Sequence, residues 1–400
     1  MEQPQVVRET STTALMRNRW LLLGKMIADA TRSLDVVDGN KPKGKLTILG
    51  SGLSHSDLSI EIEDQIRNAD KVFFSINDLV TKTWLNSIRS DAYDLAILYD
   101  EKIGRQATYT RMSESILHFV RQGQTVVTIF YGHPGIFAAP GHRAIQIARK
   151  EGHTAHMRPG ISALDCLIAD VGFDPGLPGM ITYEATDMLL RRRRLDPTLH
   201  TVLWQVGVIG EFGYNRRGYG NAGLPLLIET LEDVYGPSFQ LVHYIGAQYA
   251  GAKPLIERQS IASLRDERNA KRLTTLSTFY LPPSKIAETD DKRALALNAP
   301  RKRKSSATHG DLTRYGPREL ETLNNFSKFQ PSAGYEVKGW NPLLRFLMCL
   351  TQDLHFRQRF ESDPVTVLDG PEGSELTELE KSLLCARDQR AVAVAAIESS

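Results

Sequence analysis

The feature that most constrains the fold is a repeated order of strand, tight turn and helix in the first half of the chain. Lys45–Leu49 has the apolar character of a buried strand and runs into the turn Gly50–Gly52, after which Asp57–Ala69 carries apolar residues at helical spacing. Further strands are predicted at Lys71–Ile76 and Thr125–Tyr131. Alternation of this kind predicts a mostly parallel sheet that binds ligands beyond the carboxyl ends of its strands.

The domain organisation follows from where this pattern starts, changes and stops. Residues 1–44 are predicted to be an N-terminal extension with an amphipathic stretch, and residues 45–178 a first α/β unit. Residues 179–283 are richer in strands and predict a second α/β unit. Its predicted strands are Met180–Ala185, His200–Val208, Gln240–Ala247 and Thr275–Leu281, and its predicted helices are Leu224–Tyr235 and Ile261–Arg272. Residues 284–330 are polar and basic, which is typical of a linker, and residues 331–400 have a helical character.

Composition and charge argue against several classes of protein. The 400 residues carry a formal net charge of only +2, which favours neither a nucleic-acid nor a membrane partner. Cys166, Cys349 and Cys385 show no disulfide or metal-ligand spacing, which suits a reducing compartment. The apolar run Trp20–Leu23 is far too short to span a membrane. We therefore expect a cytoplasmic protein without a metal site.

Two basic runs, Arg191–Arg194 and Arg301–Lys304, could in principle bind nucleic acid. Neither run has interleaved aromatic residues, and the chain as a whole is nearly neutral. Solvated loops are the favoured interpretation of both.

Two glycine-rich turns are candidate ligand sites. Gly50–Gly52 could cradle a phosphate, but the dinucleotide fingerprint needs a third glycine where this chain has His55, so we interpret it as a plain strand-to-helix turn. The second turn, "FYGHPGIF" at Phe130–Phe137, has glycines that let the backbone approach a ligand, while Pro134 sets the bend. Its composition alone is equally compatible with an ordinary turn.

A third stretch, "YDEKIGRQATY" at Tyr99–Tyr109, crowds two phenols and a guanidinium together just before a helix predicted at Thr110–Gln122. Taken alone, it is compatible with a solvated loop that carries a surface arginine.

Together these motifs resemble a known family. "TILGSGLS", "FYGHPGIF" and "MRPGISALDCLIAD" are similar to the S-adenosylmethionine-dependent methyltransferases of the tetrapyrrole-methylase fold. The resemblance is closer to one branch, the borosin α-N-methyltransferases, and continues through "ITYEAT", "LWQVG", "LVHYI" and "STFYLPP". It implies an α/β methyltransferase domain of two subdomains over residues 45–283, followed by a C-terminal helical clasp. It also implies S-adenosyl-L-methionine as the cofactor and S-adenosyl-L-homocysteine as the product.

The resemblance gives the tyrosine–arginine stretch a catalytic role, because Tyr99, Arg105 and Tyr109 match the family's motif. A backbone amide nitrogen is a poor nucleophile, since its lone pair is delocalised into the carbonyl. Arg105 and one tyrosine would donate to the peptide oxygen and stabilise the charge that develops there. Tyr109, with a pKa lowered by the guanidinium, would accept the amide proton.

The resemblance also implies a cofactor site that both subdomains share. Tyr131 is expected to help orient the methyl donor, and His133 is expected to form part of the cofactor wall, although a general base is a rival role for it. The expected cofactor-binding residues are Tyr131, Gly132, His133, Pro134, Gly135, Ile136, Phe137, Ser162, Ala163, Gln205, Tyr244 and Ala247.

The chain departs from the family's pattern in three places. Ala96–Leu98 stand where the family often has further tyrosines, and the extension of residues 1–44 has no counterpart in typical members. The tail Ala391–Ile397 is either the core peptide that becomes methylated or a helix that precedes it, and its alanines favour the helix. The resemblance implies an interlocked homodimer and a peptide substrate from the chain's own tail, a partner chain or a separate peptide.

Two other functions stay open at this point. The fold would permit methylation of a tetrapyrrole or another small molecule. The chain could also be a catalytically decayed scaffold that binds the cofactor without transferring a methyl group. The tyrosine–arginine motif and the C-terminal extension favour a peptide substrate, and intact Arg105 and Tyr109 argue against decay.

Overall fold

The computed structural model describes residues 11–30, 42–298, 315–330 and 339–398. The predicted basic run at 301–304 lies outside these residues. The chain divides into two compact units, one formed by residues 1–59 and 69–312 and the other by residues 60–68 and 313–400.

Helices separate most consecutive strands along the chain. The helices are α1 Ser11–Asp29, α2 Ile62–Arg67, α3 Leu79–Ile88, α4 Arg105–Val120, α5 Ala139–Lys150, α6 Ala163–Val171, α7 Ala185–Leu190, α8 Leu224–Tyr235, α9 Glu267–Ala270, α10 Asp291–Ala296, α11 Pro317–Asn325, α12 Pro342–Gln352, α13 Leu354–Ser362, α14 Pro364–Asp369, α15 Glu378–Ala386 and α16 Gln389–Glu398. The strands are β1 Lys45–Gly50, β2 Lys71–Ser75, β3 Tyr93–Asp94, β4 Thr125–Phe130, β5 Thr154–Met157, β6 Met180–Glu184, β7 His200–Trp204, β8 Gln240–Ile245, β9 Leu255–Ser260 and β10 Thr278–Leu281.

The first sheet has the order β3-β2-β4-β1-β5, and all of its strand pairs are parallel, as the sequence predicts. Strands β1, β2 and β4 are largely apolar and buried, as expected where helices cover a parallel sheet. Leu46, Phe73 and Val126 lie in this core. Helix α1 of the N-terminal extension packs against the same core through Trp20 and Leu23.

The second sheet has the order β6-β7-β10-β8-β9 and is antiparallel except for the pair β6–β7. The four strands predicted for this region are confirmed, but strand β9 was not predicted. It lies at the edge of the sheet, and its charged residues Glu257 and Arg258 interrupt the apolar pattern from which a strand is predicted. The helix predicted at Ile261–Arg272 is a 3-10 helix over Ile261–Arg265 followed by the short α9.

The helix predicted at Asp57–Ala69 is also shorter in the structure, where α2 begins only at Ile62. The reason lies in the Asp57 carboxylate, whose Oδ2 accepts hydrogen bonds from the N–H groups of Leu53 and Ser54 at 2.9 and 3.0 Å. These bonds close a turn before α2 instead of beginning the helix there.

The basic run Arg191–Arg194 follows α7 on the surface. Arg191 and Arg193 form ion pairs with Asp187 at 2.6 and 2.8 Å. This local pairing supports the interpretation of the run as a solvated loop.

The second unit is helical and includes α2, whose neighbour Glu61 pairs with Arg357 at 2.7 Å. The tail forms helix α16, as its alanines predict. Ala395 and Ala396 are buried in the core of this unit, and the Asn341 side chain donates a hydrogen bond to the Ala396 carbonyl at 2.9 Å. Helices α10 and α11 lie within residues 284–330, for which the sequence predicts a linker. In the part of the chain that the structure describes, none of the helices combines the length and apolar character of a membrane span.

The turns that follow β1, β4 and β5 meet at a backbone junction. A Cβ at Gly50 would collide with the Gly132 carbonyl, and it would lie 2.7 Å from Pro134 Cδ and 2.9 Å from Gly160 Cα. The Gly132 N–H donates to the Gly52 carbonyl at 2.9 Å, which ties the β1 and β4 turns together. Only glycine permits this approach at Gly50.

We predict that Gly50→Ala lowers the free energy of unfolding by about 1–3 kcal/mol, because the added methyl group forces the three turns apart. Chemical denaturation monitored by circular dichroism measures this change. Gly24→Ala in α1 is the matched control, since a Cβ there meets open space, and it should raise stability by about 0.5–1 kcal/mol. Equal stability of Gly50→Ala and wild type would contradict the close packing of this junction.

Candidate active site

A cavity of about 370 Å³ lies beyond the carboxyl ends of the first sheet's strands, where a parallel sheet of this kind binds ligands. It brings together most of the residues that the sequence predicts for the site. The predicted residues that line it are Tyr99, Tyr109, Tyr131, Gly132, His133, Ile136, Phe137, Ser162, Ala163 and Gln205.

The cavity also has lining residues that sequence reasoning missed. They are Leu53, Ser75, Asn77, Ala96, Met112, Phe130, Ala138, Pro140, Leu164, Trp204, Thr275, Leu276, Ser277 and Thr278. Ser75 and Asn77 could have been found, because they lie at the carboxyl end of β2, next to the turn after β4. The lining residues Thr275–Thr278 could not be found in this way. They lead into β10 of the mostly antiparallel second sheet, to which the rule about the carboxyl ends of parallel strands does not apply.

Five predicted site residues do not line this cavity. Pro134 and Gly135 belong to the same turn as its lining, and Arg105 lines a neighbouring cavity. Tyr244 is only 1% exposed, and its hydroxyl donates to Asp170 Oδ2 at 2.7 Å. Burial and this hydrogen bond raise the pKa of Tyr244. Ala247 follows β8 and is also absent from the lining.

Helix α4 presents two of the three predicted catalytic residues. It begins at Arg105, with Gly104 as its N-cap, and not at Thr110 as predicted. The polar residues of its first turn hide the helix from an apolar-periodicity argument. Because Arg105 and Tyr109 are four residues apart on one helix, their side chains leave the same face. The Arg105 guanidinium donates to the Gly213 carbonyl at 3.1 Å.

Tyr99 lies directly after the 3-10 helix Leu95–Leu98, and its ring packs at 5.0 Å from the ring of Tyr214. Burial of the phenol, with contributions from Tyr109 that include a hydrogen bond, raises the pKa of Tyr99 to about 12, although the Arg105 charge opposes the shift. Tyr99 therefore keeps its proton at neutral pH and can act as a hydrogen-bond donor.

Tyr131 follows β4 at the start of the predicted cofactor turn. Burial raises the pKa of Tyr131 to about 12, against the opposing effect of a hydrogen bond from Gln248. The site thus contains a second phenol that stays protonated at neutral pH.

His133 supports the turn that it belongs to. Its Nδ1 accepts a hydrogen bond from the Gly135 N–H at 3.0 Å, and the Gly135 carbonyl is in turn 2.8 Å from His142 Nε2. An imidazole nitrogen that is occupied by backbone is not available as a base, so this geometry favours the wall role of His133 over general-base catalysis.

A second cavity of about 490 Å³ adjoins the first. Both are lined by Tyr109, Phe137 and Gln205, and Arg105 lines the second. The backbones of Phe137 and Gln205 are left-handed, with φ of 54° and 58°. Such a conformation is rare for residues other than glycine and is concentrated at functional sites.

His243 is a buried histidine, only 1% exposed, that contacts the cavity-lining residue Ser277. Its Nε2 is 2.8 Å from Ser277 Oγ, which also accepts the Thr274 N–H at 2.9 Å. The Nδ1 of His243 faces Glu257 Oε2 at 3.8 Å, which favours the proton on Nδ1. Ser277 then donates to Nε2. Burial lowers the pKa of His243 and keeps it neutral.

Among the described residues, no group of three or more His, Cys, Asp or Glu side chains is arranged to hold a metal ion.

We predict a distinct alkaline titration for Tyr99. Its folded-state pKa of about 12 lies above the ordinary value of 10, so the stability that it contributes is complete below pH 10 and is lost as the pH rises through about 12. Ultraviolet difference titration of tyrosinate should show one fewer high-pH transition in Tyr99→Phe, and the stability of this variant should fall less steeply in that window. If the transition that is missing from Tyr99→Phe lies near pH 10 and not near pH 12, the phenol is not buried and the prediction is wrong.

Comparison with known proteins places this geometry in a family. The tetrapyrrole (corrin/porphyrin) methylase family profile matches residues 45–213. A methyltransferase/ribosomally synthesized type I borosin cyclic peptide precursor of Cerrena unicolor is 38% identical over 354 residues, which cover 85% of this chain and 86% of the relative. One of Mycena rosella is 39% identical over 359 residues, with coverage of 86% and 87%.

A type III borosin precursor of Anomoporia bombycina is 44% identical over 255 residues, which cover 64% of this chain and 30% of that longer protein. The fold is the tetrapyrrole-methylase-like α/β fold, and the chain is a methyltransferase that belongs to the borosin methyltransferase/precursor family.

Proposed function

We propose that this chain is an S-adenosylmethionine-dependent α-N-methyltransferase that methylates backbone amides of a ribosomally made peptide. The observation that carries the proposal is the meeting of Tyr99, Tyr109 and Tyr131 in one cavity, next to a second cavity lined by Arg105. Two adjoining cavities provide separate room for a cofactor and for a peptide. The names of the relatives, which are borosin cyclic peptide precursors, support a peptide substrate.

The lining of the first cavity fits S-adenosyl-L-methionine. Leu53 and Leu164 offer apolar surface to a nucleoside, and Asn77 and Thr275 offer hydrogen-bonding groups. A Cβ at Gly132 would meet only one atom within 4 Å, so a ligand can approach the backbone there. When bound, the cofactor supplies a methyl group on a positively charged sulfur. The residues that would hold it are Tyr131, Gly132, His133, Ile136, Phe137, Ser162, Ala163 and Gln205.

Side chains that line the two adjoining cavities make the peptide amide reactive. Tyr99, which is protonated at neutral pH, donates to the amide oxygen, and the Arg105 charge stabilises the negative charge that develops there. Tyr109, one helical turn from Arg105, accepts the amide proton as its phenolate, directly or through water, and becomes a neutral phenol. The nitrogen lone pair, no longer held by the carbonyl, becomes the nucleophile.

The substrate segment is proposed to be a core peptide outside residues 391–397. Ala395 and Ala396 are buried in the helical unit, so methylation of this segment would require α16 to unfold. The core peptide is therefore proposed to come from a partner chain or a separate peptide. From the family resemblance we also propose a cytoplasmic, interlocked homodimer.

His243 is proposed to brace the cofactor pocket. The His243 ring accepts a hydrogen bond from the Ser277 hydroxyl, and this hydroxyl accepts one from the Thr274 N–H. A Cβ at Gly207 would collide with the Thr274 carbonyl, so this turn packs against the segment that follows Gln205. One buried hydrogen bond thus supports two parts of the cavity lining.

We predict that Arg105→Ala and Tyr99→Phe lower the rate of backbone methylation by about 10²–10³-fold, as the loss of an oxyanion donor does. A core peptide fused after Ser400 is incubated with S-adenosylmethionine, and its methylation is followed by intact mass and fragmentation. Calorimetry should show nearly unchanged affinity for S-adenosylhomocysteine.

Tyr235→Phe is the matched control, because this phenol bonds Thr201 at 3.1 Å and does not line either cavity. It should methylate at the wild-type rate. Unchanged turnover in both Tyr99→Phe and Arg105→Ala would exclude the mechanism. Cofactor binding without any peptide methylation by the wild type would favour the scaffold or small-molecule alternatives.

We predict that His243→Ala weakens S-adenosylhomocysteine binding by about 10-fold or more, because Ser277 loses its acceptor and the turn that it holds loosens. Calorimetry measures the affinity. His200→Ala is the matched control, since His200 is also buried and its Nδ1 is 2.8 Å from the Tyr280 hydroxyl, away from the cavity lining. Equal affinities of the two variants would show that the His243 bond serves stability alone.

A further inference from the structure

We propose that helix α1 of the N-terminal extension is a positioning element, which holds in place the wall that carries Tyr99 and Tyr109. The inference rests on the proposed function only in treating these tyrosines as catalytic. It assigns a task to a segment outside the two α/β subdomains.

Helix α1 is anchored by one apolar face. Trp20 is 7% and Leu23 1% exposed, and Met16 and Ile27 pack against the same core at helical spacing. That core also receives Leu98, Tyr99 and Tyr109 as partly buried members. The extension helix and the catalytic tyrosines therefore share one packed interior, where the displacement of one side chain is transmitted to its neighbours.

On one side, α1 holds the strand that leads into the catalytic segment. The Trp20 ring meets the Tyr93 ring edge-on at 5.4 Å between centroids. The Arg19 guanidinium lies over the Tyr93 ring at 5.7 Å and donates to the Ser90 carbonyl at 3.3 Å. Tyr93 begins β3, and the 3-10 helix Leu95–Leu98 follows this strand directly.

On the other side, α1 and the catalytic segment enclose a mostly apolar groove of about 490 Å³. The 3-10 helix contributes Ile97 and Leu98 to the groove, whereas Ala96 and Tyr99 line the active-site cavity. The side chains of helix α4 are also distributed between the groove and the active-site cavity. It contributes Arg111 and Ser115 to the groove, and Tyr109 and Met112 to the active-site cavity.

Residues 96–99 and the first turns of α4 therefore form a wall between the active-site cavity and the groove, because their side chains line both. This arrangement accounts for the apolar residues at Ile97 and Leu98, where the family pattern often has tyrosines. In this chain these side chains face α1 and not the substrate. Helix α1 covers the back of the wall and limits the movement of the phenols at its front.

The test compares full-length Trp20→Ala with wild type by three readouts. If α1 holds the wall, Tyr99 becomes more accessible, and its alkaline transition moves from about 12 toward 10. Methylation of the fused core peptide should slow by about 10- to 100-fold, because small misplacements of catalytic groups are costly. Affinity for S-adenosylhomocysteine should stay within about twofold, since the residues proposed to hold the cofactor, such as Tyr131, Ser162 and Gln205, lie on other segments of the cavity lining.

Two controls separate positioning from general loss of stability. Leu231→Ala removes a buried side chain from the core of the second sheet, and it should lower the melting temperature without moving the Tyr99 transition. Leu22→Ala changes an exposed residue on α1 and should leave all readouts unchanged. Trp20→Phe, which keeps a ring against Tyr93, should restore most of the rate. If Trp20→Ala does not fold, Trp20→Leu takes its place in the comparison.

The possible failures are distinguishable. A Tyr99 transition near 12 and a normal rate in the folded Trp20 variant would overturn the positioning role of α1. Undiminished methylation by Tyr99→Phe would instead overturn the proposed function of the tyrosine, whatever Trp20 does. If Leu231→Ala slows methylation as much as Trp20→Ala does, the slower rate of both variants reflects lost stability, and the inference is wrong.

Discussion

The active-site cavity depends on the close approach of three backbones at Gly50, Gly132 and Gly160. Gly50 ends β1, and Gly132 and Gly160 lie just beyond β4 and β5. Because the junction is made of backbone, the turns after β1, β4 and β5 are held at fixed separation, and the side chains that leave these turns line one cavity. Gly50, which resembled part of an incomplete phosphate cradle, thus serves packing, whereas Gly132 in the turn after β4 leaves room for a ligand. Both uses follow from the missing Cβ, and sequence alone does not separate them.

The chemistry of the site depends on burial. Tyr99 and Tyr131 are withdrawn from water far enough that each keeps its proton until about pH 12. At neutral pH such phenols donate hydrogen bonds and do not act as bases. A nitrogen that must lose its proton therefore needs a different acceptor. Tyr109 lines the same cavity as Tyr99 and lies one turn from Arg105 on α4, and the proposed mechanism gives it the amide proton. In the proposed mechanism the three tyrosines of one cavity therefore have different tasks.

The parallel sheet and most of the cavity could be predicted because they follow from periodicity and from short motifs. Apolar strands that end in glycine turns indicate both the sheet and its ligand edge. What could not be predicted depends on contacts distant in the chain. Helix α4 begins at Arg105, where a polar first turn hides it, and β9 resembles a loop because it is an edge strand with charged residues. Tyr244 lies in a motif of the family, but its hydroxyl is committed to Asp170, a pairing that no spacing reveals.

The boundary between the two adjoining cavities is the place where the chain accepts backbone strain. Phe137 and Gln205 both have left-handed backbones, and both line each cavity. A non-glycine residue in this conformation costs about 1–3 kcal/mol, and glycine would relieve that cost at either position. The side chains must therefore contribute something that glycine cannot. The phenyl ring of Phe137 and the amide of Gln205 line both cavities, so under the proposed function they would lie between the cofactor and the peptide. The strain is then the cost of keeping these two side chains at the boundary of the two cavities.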